Sequence, residues 1–350
     1  MHQATNSKIT IIGGGLAGLT LGIGLRQHAV DVALQEAGNL PRHRVCGEFI
    51  CGKGAATLTA MGLESLMADA VVHNEVHWYH RNRKLFQQKL PSPAIGISRY
   101  LLDQRLADYF TRKGGQLHCH QRVSIDAAFT REEGSVFCNG RQRAAGKPRW
   151  LGMKLHLKST PYPRENGLAV HLGDGCYVGL SAIENGQHNL CGLFRLRPGI
   201  EGGKLQRLMR YLEACGLYAL RRIVEKSEPD ESSFCAVSAL DFSPPSLVPG
   251  RLTLGDQMGM IAPFTGNGMS IALESARMAV APLVDYAYQR CSWGEATDTI
   301  QQHLSKRFSM RINVARWLHP LLLNSPSQAG LGYLGRWHLL PLNPLFKLTH

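Results

Sequence analysis

Three glycines near the start of the chain have the spacing that phosphate binding requires. Gly13, Gly15 and Gly18 form the pattern G-x-G-x-x-G directly after the apolar, β-branched run Lys8–Ile12. The first glycine permits a tight turn, the second lets the backbone approach a pyrophosphate, and the third lets a helix pack on the strand. We therefore expect a dinucleotide to bind here, at the N-terminus of a helix. The residues expected to contact it are Gly13, Gly15, Leu16, Ala17 and Gly18.

An acidic residue follows where the ribose of a dinucleotide would lie. Apolar residues at helical spacing from Leu16 to Leu25 lead into the strand-like run Val30–Glu36, which ends on an acid. The Glu36 carboxylate can accept hydrogen bonds from ribose hydroxyls, and its charge disfavours a ribose phosphate. Strand, glycines, helix, strand and acid thus occur in the order of a dinucleotide-binding unit.

The glycine pattern recurs near the C-terminus, from Gly330 to Gly335. Pro326 and polar residues precede it where a strand would be needed, and too little chain follows for a second βαβ unit. We interpret this second match as a turn.

A further glycine-rich segment resembles a known cofactor motif. Arg251–Asp256 is typical of a strand ending in Gly-Asp, and Pro263 precedes the turn that opens a helix at Gly266–Met269. This segment resembles the second FAD motif of the flavoprotein monooxygenase and geranylgeranyl reductase superfamily. The resemblance implies that the helix N-terminus lies by the flavin pyrimidine ring, where it would stabilise an anionic reduced flavin. The implied contacts are Asp256 to the ribityl chain, and Gly266, Asn267, Gly268 and Met269 to the ring.

Three intermediate segments resemble the same superfamily. Gly96–Leu106 is similar to its helix whose leading arginine, here Arg99, faces the cofactor, although a surface position for Arg99 is the simpler alternative. Gly115–Val123 is similar to the strand whose end, near Val123, meets the adenine. Ala144–Lys147 is the best match to an Ala-Thr-Gly-like turn of the superfamily, which implies a cofactor contact from Gly146. Before it, Asn139-Gly140-Arg141 predicts a hairpin turn.

The segment Arg44–Phe49 resembles the geranylgeranyl reductase-like branch, in which a Cys-Gly pair lies beside the isoalloxazine. This implies cofactor contacts from Arg44 and Cys46. A small buried hydrophobic role for Cys46 is the alternative. Flavin-dependent halogenases carry a related segment, but their Trp-x-Trp-x-Ile-Pro motif is absent here, which argues against halogenation.

The middle of the chain has the period-two pattern of antiparallel strands. Such runs begin at Trp150 and continue to Phe194, separated by Gly- and Asn-containing turns. Trp150 and Lys154 share one strand face, where they could contact substrate or nicotinamide phosphate. Together with Cys46 from the earlier segment, they are weak catalytic candidates. The simpler interpretation is a packing tryptophan and a solvated lysine.

Composition excludes several other classes of protein. The 350 residues are 44% hydrophobic and 19% charged, which indicates a folded chain of about two domains. Nine cysteines without C-x-x-C spacing argue against a disulfide framework and a zinc site, and we predict no metal. The net charge of +13 comes from dispersed residues without a nucleic-acid motif, so we predict no nucleic-acid partner. No signal segment or run of roughly 18 apolar residues occurs, which predicts a cytoplasmic protein.

The C-terminal region has a basic and aromatic character. Arg307, Arg311, Arg316 and Arg336 occur among Trp317, Leu321, Leu322 and Trp337. Docking on the cofactor domain is the simpler interpretation, and a peripheral membrane contact is the alternative.

Together these patterns predict an α/β protein with a doubly wound, Rossmann-like FAD domain, a mainly antiparallel substrate domain and a C-terminal helical cap. The predicted FAD domain comprises residues 1–75, 95–149 and 250–295, the substrate domain 76–94 and 150–249, and the cap 296–350.

Three functions follow from the resemblance. In the first, NADPH or NADH reduces FAD and oxygen then hydroxylates a small aromatic or polyketide-like apolar molecule. In the second, the reduced flavin delivers hydride to a carbon–carbon double bond, as in geranylgeranyl reductases. In the third, the flavin has no catalytic role. We favour the first, because Gly175–Leu180 stands where prenyl reductases carry an aromatic substrate motif, although the Cys46-Gly47 segment favours the second.

Overall fold

The computed structural model describes residues 7–123, 132–140, 149–162, 167–238, 240, 242–243, 250–336, 346 and 348. They form a parallel five-stranded sheet, a mixed eight-stranded sheet and α-helices around both. The parallel sheet contains β1 (Ile9–Ile12), β2 (Val32–Gln35), β6 (Gln116–His118), β7 (Ser135–Phe137) and β13 (Leu252–Thr253). The mixed sheet contains β3 (Phe49–Ile50), β4 (Val71–His80), β5 (Arg83–Gly96), β8 (Trp150–Ser159), β9 (Gly167–Gly173), β10 (Cys176–Ala182), β11 (His188–Arg195) and β12 (Glu228–Ser238). The helices are α1 (Leu16–Gln27), α2 (Gly54–Ala60), α3 (Arg99–Arg112), α4 (Lys204–Ala214), α5 (Tyr218–Glu225), α6 (Gly268–Ala287), α7 (Trp293–Leu323) and α8 (Ser325–Arg336).

The parallel sheet has the glycine-rich turn near its centre. Its strand order is β13-β7-β1-β2-β6, so β1 lies between β2 and β7. β1 and β2 are mostly buried and rich in aliphatic side chains, which suits a parallel sheet covered by helices. α1 packs against α3 and α6. The predicted order of strand, turn, helix and strand is therefore present.

The segment around Asn139 differs from its prediction. β7 is parallel to β1 on one edge and to β13 on the other, so it has no free edge for a hairpin partner. The hairpin turn predicted at Asn139 and Gly140 is therefore wrong, and its third residue, Arg141, lies outside the described residues. β7 instead delivers Cys138 and Gly140 to the carboxyl end of the parallel sheet, where a Cβ atom at Gly13 would lie 2.5 Å from the Cys138 carbonyl oxygen.

The mixed sheet has the order β12-β8-β11-β10-β9-β4-β5-β3. Its neighbouring strands are antiparallel except for β4 and β9, which are parallel. The strands predicted between Trp150 and Phe194 are present. One face packs on α4 and α5 through Leu151 and Met153 of β8. The opposite face, here called the inner face, carries Trp150 and Lys154 and meets α7 and the segment 43–48.

The C-terminal region is helical through Arg336. α7 begins with a capping box formed by Ser292 and Glu295 and packs along α6. The turn predicted at Gly330–Gly335 is wrong, because these residues belong to α8. The glycines serve packing there, since a Cβ atom at Gly335 would overlap the ring of Phe86 on β5.

Several arginines of the C-terminal region face the protein interior. Arg307 and Arg311 form ion pairs with the buried Glu274 of α6, and Arg316 donates to the carbonyl of Phe242. Within the described ranges, none of the helices has the length and apolar character that a membrane span needs. Peripheral membrane contact stays a prediction, as do the cytoplasmic location and the division into domains.

A buried histidine of the mixed sheet predicts pH-dependent stability. His171 of β9 stacks on Tyr79 with ring centroids 4.7 Å apart, and neither ring nitrogen has a hydrogen-bond partner among the described residues. Burial lowers the His171 pKa to about 4. The folded imidazole stays neutral down to about pH 4, whereas the unfolded imidazole binds a proton near pH 6.5, so the free energy of unfolding decreases as pH falls from 6.5 toward 4. Between pH 7 and 4, the His171→Phe variant should lose about 3 kcal/mol less of its free energy of unfolding than the original protein loses.

Urea denaturation at each pH measures this difference. Exposed His28 provides the control, because His28→Phe changes a solvated ring. An unaltered pH dependence in His171→Phe would contradict the assignment.

Candidate functional site

The glycine-rich turn has the close packing that its sequence requires. Gly13 has a φ of 111°, a conformation that side chains rarely permit. A Cβ atom at Gly18 would overlap the carbonyl oxygen of Gly13, so only glycine lets α1 approach the turn. At Gly15 a Cβ atom would meet only the guanidinium of Arg99, at 3.9 Å. Open space and a cation thus lie together at the N-terminus of α1, as a pyrophosphate requires.

Glu36 lies immediately beside this turn. The carboxylate is buried and accepts the backbone N–H groups of Gly14 and Gly38, each at 2.9 Å. Arg42 donates to the same carboxylate at 3.0 Å. A carboxylate has about four acceptor positions and these three donors use three, so one position on Glu36 remains for a ribose hydroxyl. The residues present therefore fit the adenosine half of a dinucleotide.

Two arginines meet at a buried aspartate that sequence reasoning did not assign to the site. Asp103 of α3 is fully buried and forms ion pairs with Arg99 at 2.8 Å and Arg44 at 3.1 Å. Arg44 also lies 3.8 Å from Glu36. Burial lowers the Arg99 pKa, but the Asp103 charge outweighs it and the net pKa is raised. The surface position considered for Arg99 is wrong, since its side chain is only 12% exposed.

The chain after Arg44 turns sharply at Glu48. This residue has a left-handed φ of 51°, which costs a non-glycine residue about 1–2 kcal/mol. Its N–H points at the Cys46 sulfur at 3.4 Å, and Asn189 of β11 donates to the Cys46 carbonyl at 3.0 Å. Burial raises the pKa of the Cys46 thiol. Gly47 is exposed, and a Cβ atom there would meet nothing within 4 Å.

The fully buried Glu48 carboxylate holds this turn against the mixed sheet. It accepts hydrogen bonds from His156 at 2.5 Å and from the Arg99 N–H at 3.0 Å, and Lys154 lies 3.2 Å away. Burial acts to raise the Glu48 pKa, but the His156 hydrogen bond and the Lys154 charge outweigh it and hold the pKa below its ordinary value. The carboxylate is thus ionised and paired.

The solvated position expected for Lys154 is wrong, because this side chain is fully buried. Its ammonium group also lies 3.2 Å from Nδ1 of His43. Burial first, and the nearby Lys154 charge second, lower the His43 pKa to about 4. The alternation along β8 placed Lys154 on the inner face, but sequence gave no sign that Glu48, far along the chain, would compensate its charge.

The second glycine-rich segment reaches the same region. A Cβ atom at Gly255 would lie 3.2 Å from the Ala17 side chain, so the residue before Asp256 packs on α1. Asp256 itself is exposed. The Gly266 carbonyl accepts from Cys51 at 3.1 Å, which places the start of α6 beside β3. A Cβ atom at Gly268 would meet only Ile261, at 4.0 Å.

Asn267 and Met269 flank this start of α6. Both residues are buried, Asn267 at the N-cap position and Met269 in the hydrophobic core of the parallel sheet. Leu16 and Ala17, at the start of α1, belong to the same core. The core therefore fixes the N-termini of α1 and α6 relative to one another.

Trp150 is the first residue of β8 and lies four residues before Lys154 on the same inner face. Its indole is tilted on His319 of α7 with ring centroids 5.5 Å apart. His319 is parallel to Phe264, with an interplanar angle of 4° and centroids 6.5 Å apart. Phe264 precedes Gly266 by two residues, so these rings connect the sheet with the loop before α6. Trp150 packs as expected.

Two predicted contacts lie outside this arrangement. Val123 comes five positions after the end of β6 at His118, so the strand ends earlier than predicted. Its contact with adenine stays a prediction. Gly146 lies outside the described residues.

Comparison with known proteins identifies the fold. No protein-family model matches the chain, and no curated protein matches its sequence. Among solved structures, PqsL from Pseudomonas aeruginosa, a probable FAD-dependent monooxygenase, has a TM-score of 0.71 at 16% identity, covering 93% of this chain and 99% of PqsL. The flavin-dependent brominase Bmp2 has a TM-score of 0.76 at 15% identity, with 98% and 93% covered. HpxO from Klebsiella pneumoniae, solved with FAD and uric acid, has a TM-score of 0.74 at 17% identity, with 98% and 95% covered.

The chain therefore has the fold of the FAD-dependent monooxygenases. This is the fold that the resemblance of the two glycine motifs implied.

The buried ion pair between Lys154 and Glu48 predicts a specific stability effect. Lys154→Met leaves the Glu48 carboxylate without its cation and should lower the free energy of unfolding by about 3 kcal/mol. This value is at the lower end of the range for a broken buried ion pair, because His156 still donates a hydrogen bond to Glu48. Combining it with Glu48→Gln removes the uncompensated charge and should restore much of the loss.

Chemical denaturation measures these changes, with Lys158→Met as the matched control. Lys158 is exposed on the same strand, so its replacement should have little effect. Equal effects at the two lysines would mean that the buried pair does not stabilise the fold.

Proposed function

We propose that the protein is an FAD-dependent monooxygenase that uses NADPH or NADH to hydroxylate a small, apolar, aromatic or polyketide-like molecule. One observation carries the proposal. Contacts join four segments that are far apart in sequence into one continuous region. These segments are Gly13–Gly18, Glu36–Glu48, Arg99–Asp103 and Gly255–Gly268. The superfamily resemblance assigns these segments to a single FAD. PqsL, a probable FAD-dependent monooxygenase, supports the reaction class, and HpxO, solved with FAD, supports the cofactor.

In this proposal the N-terminus of α1 and the Arg99 guanidinium bind the pyrophosphate, and Glu36 accepts hydrogen bonds from the ribose. Asp256 contacts the ribityl chain. Neither α1 nor α6 begins with a side-chain cap, so the first-turn N–H groups of both helices are available to anionic groups.

The bound flavin supplies the redox chemistry. The overall reaction consumes one O₂, one NAD(P)H, one proton and the substrate, and yields the hydroxylated product, water and NAD(P)⁺. The protein must orient the substrate and exclude water. The middle of the inner face carries the small residues Gly152, Gly179 and Cys191, with the Val45 side chain over Gly152, and apolar rings flank one side.

Cofactor release and reduction test the proposal. The purified protein should be yellow, and denaturation should release FAD rather than FMN, because the glycine-rich turn binds a pyrophosphate that FMN lacks. NADPH or NADH should bleach the flavin without oxygen, and a substrate should then accelerate oxygen consumption. Release of FMN or NAD would contradict the cofactor assignment. Double-bond reduction without oxygen uptake would favour the reductase, and no reduction by either nucleotide would favour the non-catalytic flavoprotein.

The start of α6 predicts an effect on the flavin potential. Gly268→Val adds a side chain into open space, so the fold should tolerate it, but a bound ring can no longer approach the helix as closely. Because the helix N-terminus favours the anionic reduced flavin, a contact weakened by about 1.4 kcal/mol makes the two-electron potential about 30 mV more negative.

Spectroelectrochemical titration measures this shift. Gly294, the second residue of α7, has similarly open surroundings, and Gly294→Val serves as the control. A Gly268→Val protein with full FAD occupancy and the original potential would place α6 away from the flavin.

A further inference from the structure

A cavity of about 450 Å³ opens at the Trp150 end of the inner face. The pairing of Trp150 with Arg195 places the ends of β8 and β11 at its edge, and α7 closes it from the other side. The volume is within the range of small-molecule sites. Its lining residues are Trp150, Asp174, Arg195, His319, Pro320, Leu323, Asn324 and Pro326.

Arg195 gives this cavity a positive charge at its rim. The side chain is exposed, and its guanidinium lies 5.9 Å from the centroid of the Trp150 ring. It has no hydrogen-bond or ion-pair partner in the part of the chain that the structure describes. Arg197, two residues on, is by contrast committed to Asp174 at 2.8 Å and to the Ala214 carbonyl. Since Arg197 balances Asp174, the Arg195 charge is left for a ligand.

The part of the cavity wall that α7 and Trp150 form is aromatic and apolar. The His319 ring is 94% buried between Trp150 and Phe242, whose ring centroid lies 4.6 Å away. Burial lowers the His319 pKa to about 4, so the imidazole is neutral near pH 7. Pro320 and Leu323 complete the apolar surface. A flat apolar ring can pack here, whereas a cationic ligand is repelled by Arg195.

We propose that this cavity binds an aromatic carboxylate, with the ring against Trp150 and the carboxylate on the Arg195 guanidinium. The planar guanidinium fork matches a carboxylate through two parallel hydrogen bonds. His319 and Phe264 are the rings between the cavity and the loop before α6, so the cavity forms the outer part of the substrate site. That last placement rests on the proposed function, whereas binding of the acid does not.

Calorimetric titration of the FAD-loaded protein with 2-naphthoate tests the inference. Naphthoate should bind, and its neutral counterpart 2-naphthamide should bind at least about tenfold more weakly, because it lacks the charge that Arg195 recognises. Arg195→Gln should weaken naphthoate binding by a similar factor and leave naphthamide unchanged. Arg195→Lys should retain part of the affinity, since a lysine keeps the charge but not the fork.

Arg112→Gln is the matched control. Arg112 lies over the Tyr109 ring, also at 5.9 Å, but on α3, away from this cavity. Its replacement removes the same charge from a similar aromatic neighbour and should leave naphthoate binding unchanged. The inference would be overturned if naphthoate and naphthamide bound equally well, or if naphthoate did not bind. It would also be overturned if Arg195→Gln and Arg112→Gln weakened naphthoate binding equally.

The flavin absorption spectrum separates this inference from the proposed function. Naphthoate should perturb the bound flavin in the original protein and not in Arg195→Gln at the same concentration. Arg195-dependent binding without any spectral change would overturn the placement of the cavity in the substrate site. A protein that binds naphthoate through Arg195 but is not reduced by NADPH or NADH would contradict the monooxygenase, and not the acid site.

Discussion

The arrangement of the site depends on the buried charge of Glu48. A carboxylate that is removed from water must be paired and hydrogen-bonded, and the partners of Glu48 come from β8 and from the first residue of α3. These contacts fix the turn at Cys46 and Gly47 between the two sheets. The left-handed backbone at Glu48 is retained because three separate groups hold its side chain in place.

Other buried carboxylates join distant segments in the same way. Asp103 connects α3 with the chain after Arg42 through Arg44, and Glu36 connects β2 with the glycine-rich turn. Glu274 ties α6 to α7 through Arg307 and Arg311. The first two carboxylates lie along the predicted path of the cofactor, and Glu274 anchors the helix that begins there. A cluster of paired charges can hold an open cleft in shape where an apolar core would collapse around it.

Sequence predicted the backbone of those parts of the candidate site in which one local pattern fixes the structure. The turn at Gly13–Gly18, where Gly13 and Gly18 allow close backbone approach, and the start of α6 at Gly268 belong to this class. β7 was missed because a three-residue strand has no recognisable period and Asn139-Gly140 is a common hairpin signal. The burial of Lys154 could not be predicted, because its compensating charge at Glu48 is set by tertiary contacts alone.

The central claim is that four separate segments form a single FAD site. Hydrogen-exchange mass spectrometry of the protein with and without FAD tests it most directly, since exchange reports local opening along the whole backbone. Bound FAD should slow exchange together in residues 12–18, 36–48, 99–103 and 255–270, and leave α4 and α5 unchanged. Protection confined to one of these segments, or found mainly on α4 and α5, would contradict the account.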